Sequence, residues 1–370
     1  MKRLSFFTYL FILTFLLAAC ADTNPTSSLP GSGPFASPTA TAQSAITGNG
    51  TFREYPLPQT DSGMMRPVID HEGRIWFGEM GHNYLAVFDP RTQTFRQMTP
   101  PHGRNGIMGL VVAPDDTLWF AEQYANYIGH YDPATGKYQV YTLPSLTVPD
   151  PSNPGKTLTL PGAPNDIALD AHGNLWFTEL NADALGKLDP HAGQVQQYPI
   201  SSDSSVQKLN PYGVTIDPHG MVWFTEASGS HIGRLDPATG KISFFTMPGP
   251  ANPLMEIASD NHGVIWITSF SGGLLLNLNP QTGAFTPYYA PHSGEGSGGI
   301  YGLAIGPAGD VWMTLSAENE LARLDPVTHH FILYHIPTAG SLPLGVAMAA
   351  NHTLWFTESG KDKIGKLVPN

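Results

Sequence analysis

From Thr51 onward, apolar and polar positions come in short bursts that repeat. The stretch Tyr212-Gly213-Val214-Thr215-Ile216 is mainly apolar and ends at the turn word Asp217-Pro218-His219-Gly220, after which a second apolar burst surrounds Trp223. A third, Ile232-Gly233-Arg234-Leu235, ends at Asp236-Pro237-Ala238-Thr239-Gly240. A fourth, Lys241 to Met247, alternates and exits at Pro248. Runs this short between Asp, Pro and Gly predict strands joined by hairpins rather than helices. Proline presets the turn and glycine supplies its positive φ.

The unit recurs along the chain. All seven tryptophans, Trp76, Trp119, Trp176, Trp223, Trp266, Trp312 and Trp355, sit in the same local frame, spaced by 43, 57, 47, 43, 46 and 43 residues. Four stand in near-identical words, Trp119-Phe120-Ala121-Glu122, Trp176-Phe177-Thr178-Glu179, Trp223-Phe224-Thr225-Glu226 and Trp355-Phe356-Thr357-Glu358. A period of about 40 to 50 residues with four strands per unit predicts an all-β, seven-bladed β-propeller of four-stranded antiparallel blades. After Trp355 the chain supplies a third strand, Lys363 to Val368, and stops. An unassigned strand at Thr51 to Pro58 is therefore expected to complete the last blade and close the ring, removing an open sheet edge.

The first residues follow another logic. MKRLSFFTYLFILTFLLAAC has a basic start, an apolar run from Leu4 to Ala19 and small residues before Cys20. That is the pattern of an export signal, with an apolar run short of the ~20 residues a membrane span needs. Leu17-Ala18-Ala19-Cys20 resembles the lipobox of bacterial lipoproteins, in which the cysteine is acylated and becomes the mature N-terminus. The expected organisation is a signal peptide over 1–20, a Ser/Thr/Pro/Gly-rich tether over 21–50, and the propeller over 51–370. The tether is too poor in large apolar side chains to offset its ordering entropy. Cys20 is the single cysteine of the chain, so with Cys20 lipidated stability must come from burial and strand pairing rather than disulfides. The anchor would put the protein on the outer face of the cytoplasmic membrane or on an outer membrane, touching the bilayer only through the lipid.

Charge narrows the partners. Removing Lys2 and Arg3 leaves 16 basic against 30 acidic residues, a formal net charge of −14. Nucleic acid is a poor fit, because its binding draws most of its affinity from phosphate neutralisation by Lys and Arg. The expected partner is a small molecule, a peptide or a protein, bound by a monomer.

Most conspicuous residues have structural roles. The tryptophans are expected to fill the gaps between adjacent blades. Asp89, Asp132, Asp189, Asp236 and Asp325 read as turn formers. His71, His172, His219, His262 and His352 sit in the turn before the tryptophan strand on different blades, where they would spread around a rim rather than converge on one ion.

Two repeat positions should meet at one mouth of the central channel. The residue eleven before each tryptophan is Met65, Met108, Asn165, Tyr212, Met255, Tyr301 and Leu344. This ring either plugs the channel or grips an organic ligand with adaptable and aromatic side chains. The residue three after each tryptophan is Glu79, Glu122, Glu179, Glu226, Ser269, Leu315 and Glu358. These carboxylates either cap backbone amides at their own turns or surround a cation, for which Mg²⁺ or Ca²⁺ suits hard oxygen ligands. No organic cofactor is expected. Three longer connections, Ser145 to Pro161, Ser201 to Leu209 and Pro291 to Gly299, should decorate the same mouth.

The words Pro-Xaa-Gly-Ile/Val, Asp-Xaa-His-Gly, Trp-Phe-Thr-Glu and Ile-Gly-Arg/Lys-Leu resemble the virginiamycin B lyase, or streptogramin lyase, family over residues 51–370. The resemblance implies a propeller and an elimination that opens a cyclic peptide antibiotic at its ester. That chemistry needs a placed base and a divalent cation to stabilise the enolate. In the family the base is the histidine of a Glu-Pro-His-Gly word at the start of the last inner strand. The corresponding word here is Leu342-Pro343-Leu344-Gly345, and the family's substrate-contacting histidine one blade earlier corresponds to Tyr301. The family's magnesium-binding glutamate is matched by Glu358. The resemblance therefore implies a relative without the family's base, with a relocated metal-dependent lyase site as the alternative. Pro164-Asn165-Asp166-Ile167-Ala168 is similar to a metal-binding word of gluconolactonase-type propellers, which keeps a lactonase-like enzyme in view.

Overall fold

The computed structural model describes residues 45–150, 152–200, 209–248, 252–270, 272–291 and 299–370. Among these there is no helix, and seven four-stranded antiparallel sheets follow one another in chain order. We number the blades 1 to 7 by their tryptophans, from Trp76 to Trp355. Blade 4 is typical, with strands Pro211–Ile216, Val222–Glu226, His231–Leu235 and Ile242–Thr246 from the channel outward. The signal-peptide stretch with Cys20 and most of the expected tether lie outside the described residues.

Ring closure follows the expected pairing. Gly50–Pro56 runs antiparallel to Lys363–Pro369, with Thr51 opposite Val368 and Tyr55 opposite Ile364, and it is the outermost strand of blade 7. One boundary moves. Ala45–Thr47, assigned to the tether from its composition, pairs in parallel with His330–His335 on the outer edge of blade 6, Ala45 opposite Phe331. Strand pairing here supplies what the exposed side chains do not. The long 57-residue spacing between Trp119 and Trp176 is also explained, because Leu146–Pro149 and Thr157–Leu160 form an extra hairpin within it.

Blades are held together by two repeated devices. Each tryptophan packs on the next blade: Trp76 lies with Leu118, Phe120 and Tyr131, Trp266 with Val311, Met313 and Phe331, and Trp355 with Ile75, Phe77 and Phe88. Truncating so deeply buried a side chain costs about 3 to 5 kcal/mol. In four blades the indole nitrogen also donates to the aspartate that opens the preceding turn, as Trp223 Nε1 does to Asp217 at 2.8 Å, and in blade 6 Trp312 Nε1 donates instead to Asp310 at the end of the turn, at 2.6 Å. The histidines of those turns are exposed, as expected of a rim. The aspartates of the Asp-Pro words bind the amides of their own turns, Asp236 taking Ala238 N at 2.9 Å.

The second device is the threonine two residues after the tryptophan. Thr225 Oγ1 accepts from Gly213 N at 2.9 Å within blade 4 and donates to Met255 O of blade 5 at 2.6 Å. Thr178, Thr268, Thr314 and Thr357 repeat this bridge, the last reaching Met65 O of blade 1. Neighbouring inner strands are thereby fixed at short range around most of the channel.

Candidate functional site

The inner strands carry the feature that shapes the channel. In blades 2 to 7 the first and second strands change register by one residue, for example between Pro164, opposite Glu179, and Ile167, opposite Phe177. Such a bulge re-aims the side chains beside it. Two successive positions therefore bear on the channel, those eleven and ten residues before the tryptophan.

At the first position, Tyr212, Met255 and Tyr301 are buried in one apolar cluster with Ala227, and Met65, Leu344, Leu180 and Phe270 pack against it. The Tyr212 and Tyr301 hydroxyls are hydrogen-bonded to each other across the channel, and Phe270 meets Tyr301 edge-on at 6.3 Å. Burial pushes the Tyr212 phenol up to about 12. Asn165 is buried too, receiving Gln123 Nε2 at 3.0 Å and donating to Tyr212 O at 2.9 Å. Met108 is buried but stands apart from the cluster. Five of the six predicted ligand-binding residues thus meet through this cluster or its hydrogen bonds.

The second position was not singled out from the sequence, yet it holds the charge. It reads Arg66, Gly109, Asp166, Gly213, Glu256, Gly302 and Gly345. The glycines answer to close approach: a Cβ on Gly213 would sit 2.6 Å from Met255 O, and one on Gly345 2.2 Å from Met65 O. Where the residue is not glycine it is ionic. Arg66 of blade 1 donates from Nε to Glu256 Oε1 of blade 5 at 2.7 Å, with Nη2 at 2.7 Å from the same oxygen, and its Nη1 lies 3.5 Å from Asp166 Oδ1 of blade 3. Its guanidinium covers the Tyr212 ring at 5.2 Å. Asp166 is held in turn by Val214 N at 2.9 Å. These three side chains each keep 11% exposure, while Nη1 and Nη2 of Arg66 are themselves buried.

The electrostatics follow from that geometry. Burial opposes charge on Arg66, but Asp166 and Glu256 outweigh it and hold the guanidinium well above its usual range. Burial raises Glu256 to about 7, with Arg66 pulling it down and Asp166 pushing it up.

The glutamates three after the tryptophan do not meet at the mouth, and this corrects the expectation of a shared cation site. Each is buried inside its own blade. Glu79 and Glu179 accept from Gln97 Nε2 and Gln197 Nε2 at 2.8 Å, Glu122 accepts from Tyr138 OH, and Glu226 Oε2 shares a 3.2 Å hydrogen bond with His231 Nδ1. The partners sit on the third and fourth strands of the same sheet. Glu358 departs from the pattern, since neither of its oxygens has a hydrogen-bond partner. The position that supplies the glutamine in blades 1 and 3 is Glu54 in blade 7, opposite Gly365 as Gln197 is opposite Gly186. Glu54 cannot donate and turns instead to Thr338 Oγ1 at 2.6 Å and Lys363 Nζ at 3.0 Å. Burial, then the charge of Glu54, raises Glu358 to about 8 against the pull of Lys363. Among the described residues no three His, Cys, Asp or Glu side chains stand together to hold a metal ion, so the Mg²⁺ or Ca²⁺ site anticipated on these glutamates does not fit their positions.

The residue four after the tryptophan is the one that reaches the channel, as Leu180, Ala227 and Phe270 do in the apolar cluster. Of the three mouth connections, Ser145 to Pro161 carries the extra hairpin. The other two, Ser201 to Leu209 and Pro291 to Gly299, lie mostly outside the described residues.

A model of the virginiamycin B lyase family matches residues 35–294. The chain belongs to the virginiamycin B lyase family. A streptogramin B lyase structure superimposes with a TM-score of 0.75 at 26% identity, covering 87% of this chain and 98% of that one. Virginiamycin B lyase from Staphylococcus aureus gives a TM-score of 0.75 at 25% identity over 86% of this chain and 99% of its own. A catalytically inactive His-to-Ala variant of that enzyme with quinupristin matches equally well. No match was found among curated proteins. Family membership accounts for the blades and their repeated words, while the Arg66, Asp166 and Glu256 cluster occupies positions that the repeat itself leaves to glycine.

Proposed function

We propose that this family member is a lipid-anchored, extracytoplasmic binding propeller that takes an organic ligand at the channel mouth and does not perform the family's elimination by the family's base. The observation that carries this reading is the packing around Leu344. The residue matching the family's histidine is apolar, and it lies against the cluster of Tyr212, Met255 and Tyr301. A leucine accepts no proton. Adaptable methionines and tyrosines with polar tips, beside an ionic cluster, are the composition of a ligand site. The export signal and Cys20 support placement outside the cytoplasm.

The test has two arms. Purified protein incubated with quinupristin and Mg²⁺ should give no ring-opened product by mass spectrometry. In parallel, NMR of ¹³C-methyl methionine should show Met65 and Met255 shifting with members of an aromatic fragment library while surface methyls stay still. Ring opening, or a library that leaves both methyls unmoved, contradicts the reading.

One observation favours a second reading, a lyase or lactonase-like enzyme with a relocated site. A carboxyl that titrates at about 7 beside an arginine is suited to general base work near neutrality. Under that reading Glu256 takes the proton and Arg66 stabilises the developing negative oxygen.

A further inference from the structure

Glu256 uses only one edge of the Arg66 guanidinium. Its Oε1 sits against the side formed by Nε and Nη2, and the hydrogen bond is to Nε. Nη1 and Nη2 are both buried and complete no hydrogen bond, although Asp166 Oδ1 stands 3.5 Å from Nη1. The end edge of the fork, two parallel donors on one plane, therefore completes no hydrogen bond. Buried donors without acceptors are costly, and a planar pair of N–H groups matches the two oxygens of a carboxylate. Across the two channel rings Arg66 is the basic residue, and its guanidinium covers the ring of Tyr212, which clusters with Met255 and Tyr301.

Charge sets a condition on any such ligand. With Asp166 and Glu256 both ionised the cluster carries one net negative charge, and a second anion would add to it in a poorly hydrated place. The conflict disappears if Glu256 becomes neutral as the ligand arrives. Apart from Arg66, the groups that face Glu256 are Asp166, Tyr212 and Tyr301. Of these, Asp166 is committed to Val214 N and the two phenols are pushed up by burial. Glu256 is the member of the set placed to change its protonation.

We propose that the channel binds organic carboxylates, with the ligand's carboxylate on the Nη1 and Nη2 donors of Arg66, its apolar body among Met65, Met255 and Leu344, and Glu256 taking up one proton from solvent on binding. This inference rests on the ligand-binding reading above and adds the ligand class.

Calorimetric titration with sodium benzoate, benzamide and methyl benzoate at pH 6, 7 and 8 tests it. Benzoate should bind at least about tenfold more tightly than its uncharged analogues at pH 6, as a charge-assisted hydrogen bond implies. Its affinity should fall by up to about tenfold from pH 7 to 8, one proton being linked. Glu256→Gln should flatten that profile, and Arg66→Gln should remove the preference for benzoate. Circular dichroism establishes that each variant is folded; should Arg66→Gln fail to fold, the native pH profile and Glu256→Gln decide alone. Analogues that bind as well as benzoate would overturn the inference and leave the binding reading standing. A benzoate affinity indifferent to pH and to Glu256, or no benzoate binding at all, would also overturn it. The binding reading itself falls separately, through the methionine methyls.

Discussion

The position three residues after each tryptophan and the position ten before it both carry acids, under opposite rules. The first is glutamate in five blades, and four of the five find their partner within their own sheet. The second is glycine in four blades and charged in three, and the charged side chains find one another across the axis, from blade 1 to blades 3 and 5. A residue that recurs with the repeat is explained by what every blade needs. A residue that breaks the repeat needs another explanation, and here three such residues share one place.

Removing the ion at the centre of the cluster should have the largest effect. Arg66→Met leaves two carboxylates facing each other, and breaking a buried pair from one side costs about 3 to 5 kcal/mol. Urea denaturation at pH 8 should show a loss near the lower end of that range. At pH 5.5 the loss should shrink, because Glu256 can then be protonated. A loss below about 1 kcal/mol at both pH values would mean that the cluster matters no more than a surface pair.

A smaller effect belongs to the one glutamate that lacks its partner. The folded protein holds the Glu358 proton up to about 8, whereas the unfolded chain releases it near the usual 4.5. More protons are then bound in the folded state between those values, so this group makes stability greatest at the acid end and costs stability as pH rises through that window. Glu122 and Glu179, raised to about 7 by burial, act in the same direction. Glu358→Gln should raise the thermal midpoint at pH 8.5 by on the order of 5 °C and change it little at pH 5. An equal gain at both pH values would assign the effect to packing rather than charge.

The architecture was legible because it is periodic. Seven tryptophans in one frame and a missing last strand predicted the closure by Thr51 to Pro58, which the pairing of Tyr55 with Ile364 bears out. Ala45–Thr47 was not legible, since a three-residue strand with a single large apolar side chain, the exposed Ile46, looks like tether. The site was half legible. The residues eleven before the tryptophan were found by topology, but the bulge between Pro164 and Ile167 is a backbone event that no side-chain period announces. It brings Asp166 into the channel beside Asn165 and, likewise, Glu256 beside Met255, while in blade 1 Arg66 lies between the Met64–Glu79 bridge and the pairing of Val68 with Trp76. The glutamates were misplaced for a related reason. A carboxylate at the end of a strand suggests a mouth, whereas Gln97, Tyr138 and Gln197 on the fourth strands draw these side chains inward. The available signal was the row Arg, Gly, Asp, Gly, Glu, Gly, Gly itself, in which glycine is the rule and charge the departure.

Glu256 and Glu179 are both raised to about 7 by burial, and only Glu256 is tied to Arg66. Carboxyl ¹³C NMR titration of both in native protein and in Arg66→Met tests that difference directly. Glu256 should rise by about two pH units in the variant, as losing an adjacent opposite charge implies, while Glu179 stays where it was. If Glu256 titrates unchanged without Arg66, the ionic bridge across the channel is contradicted.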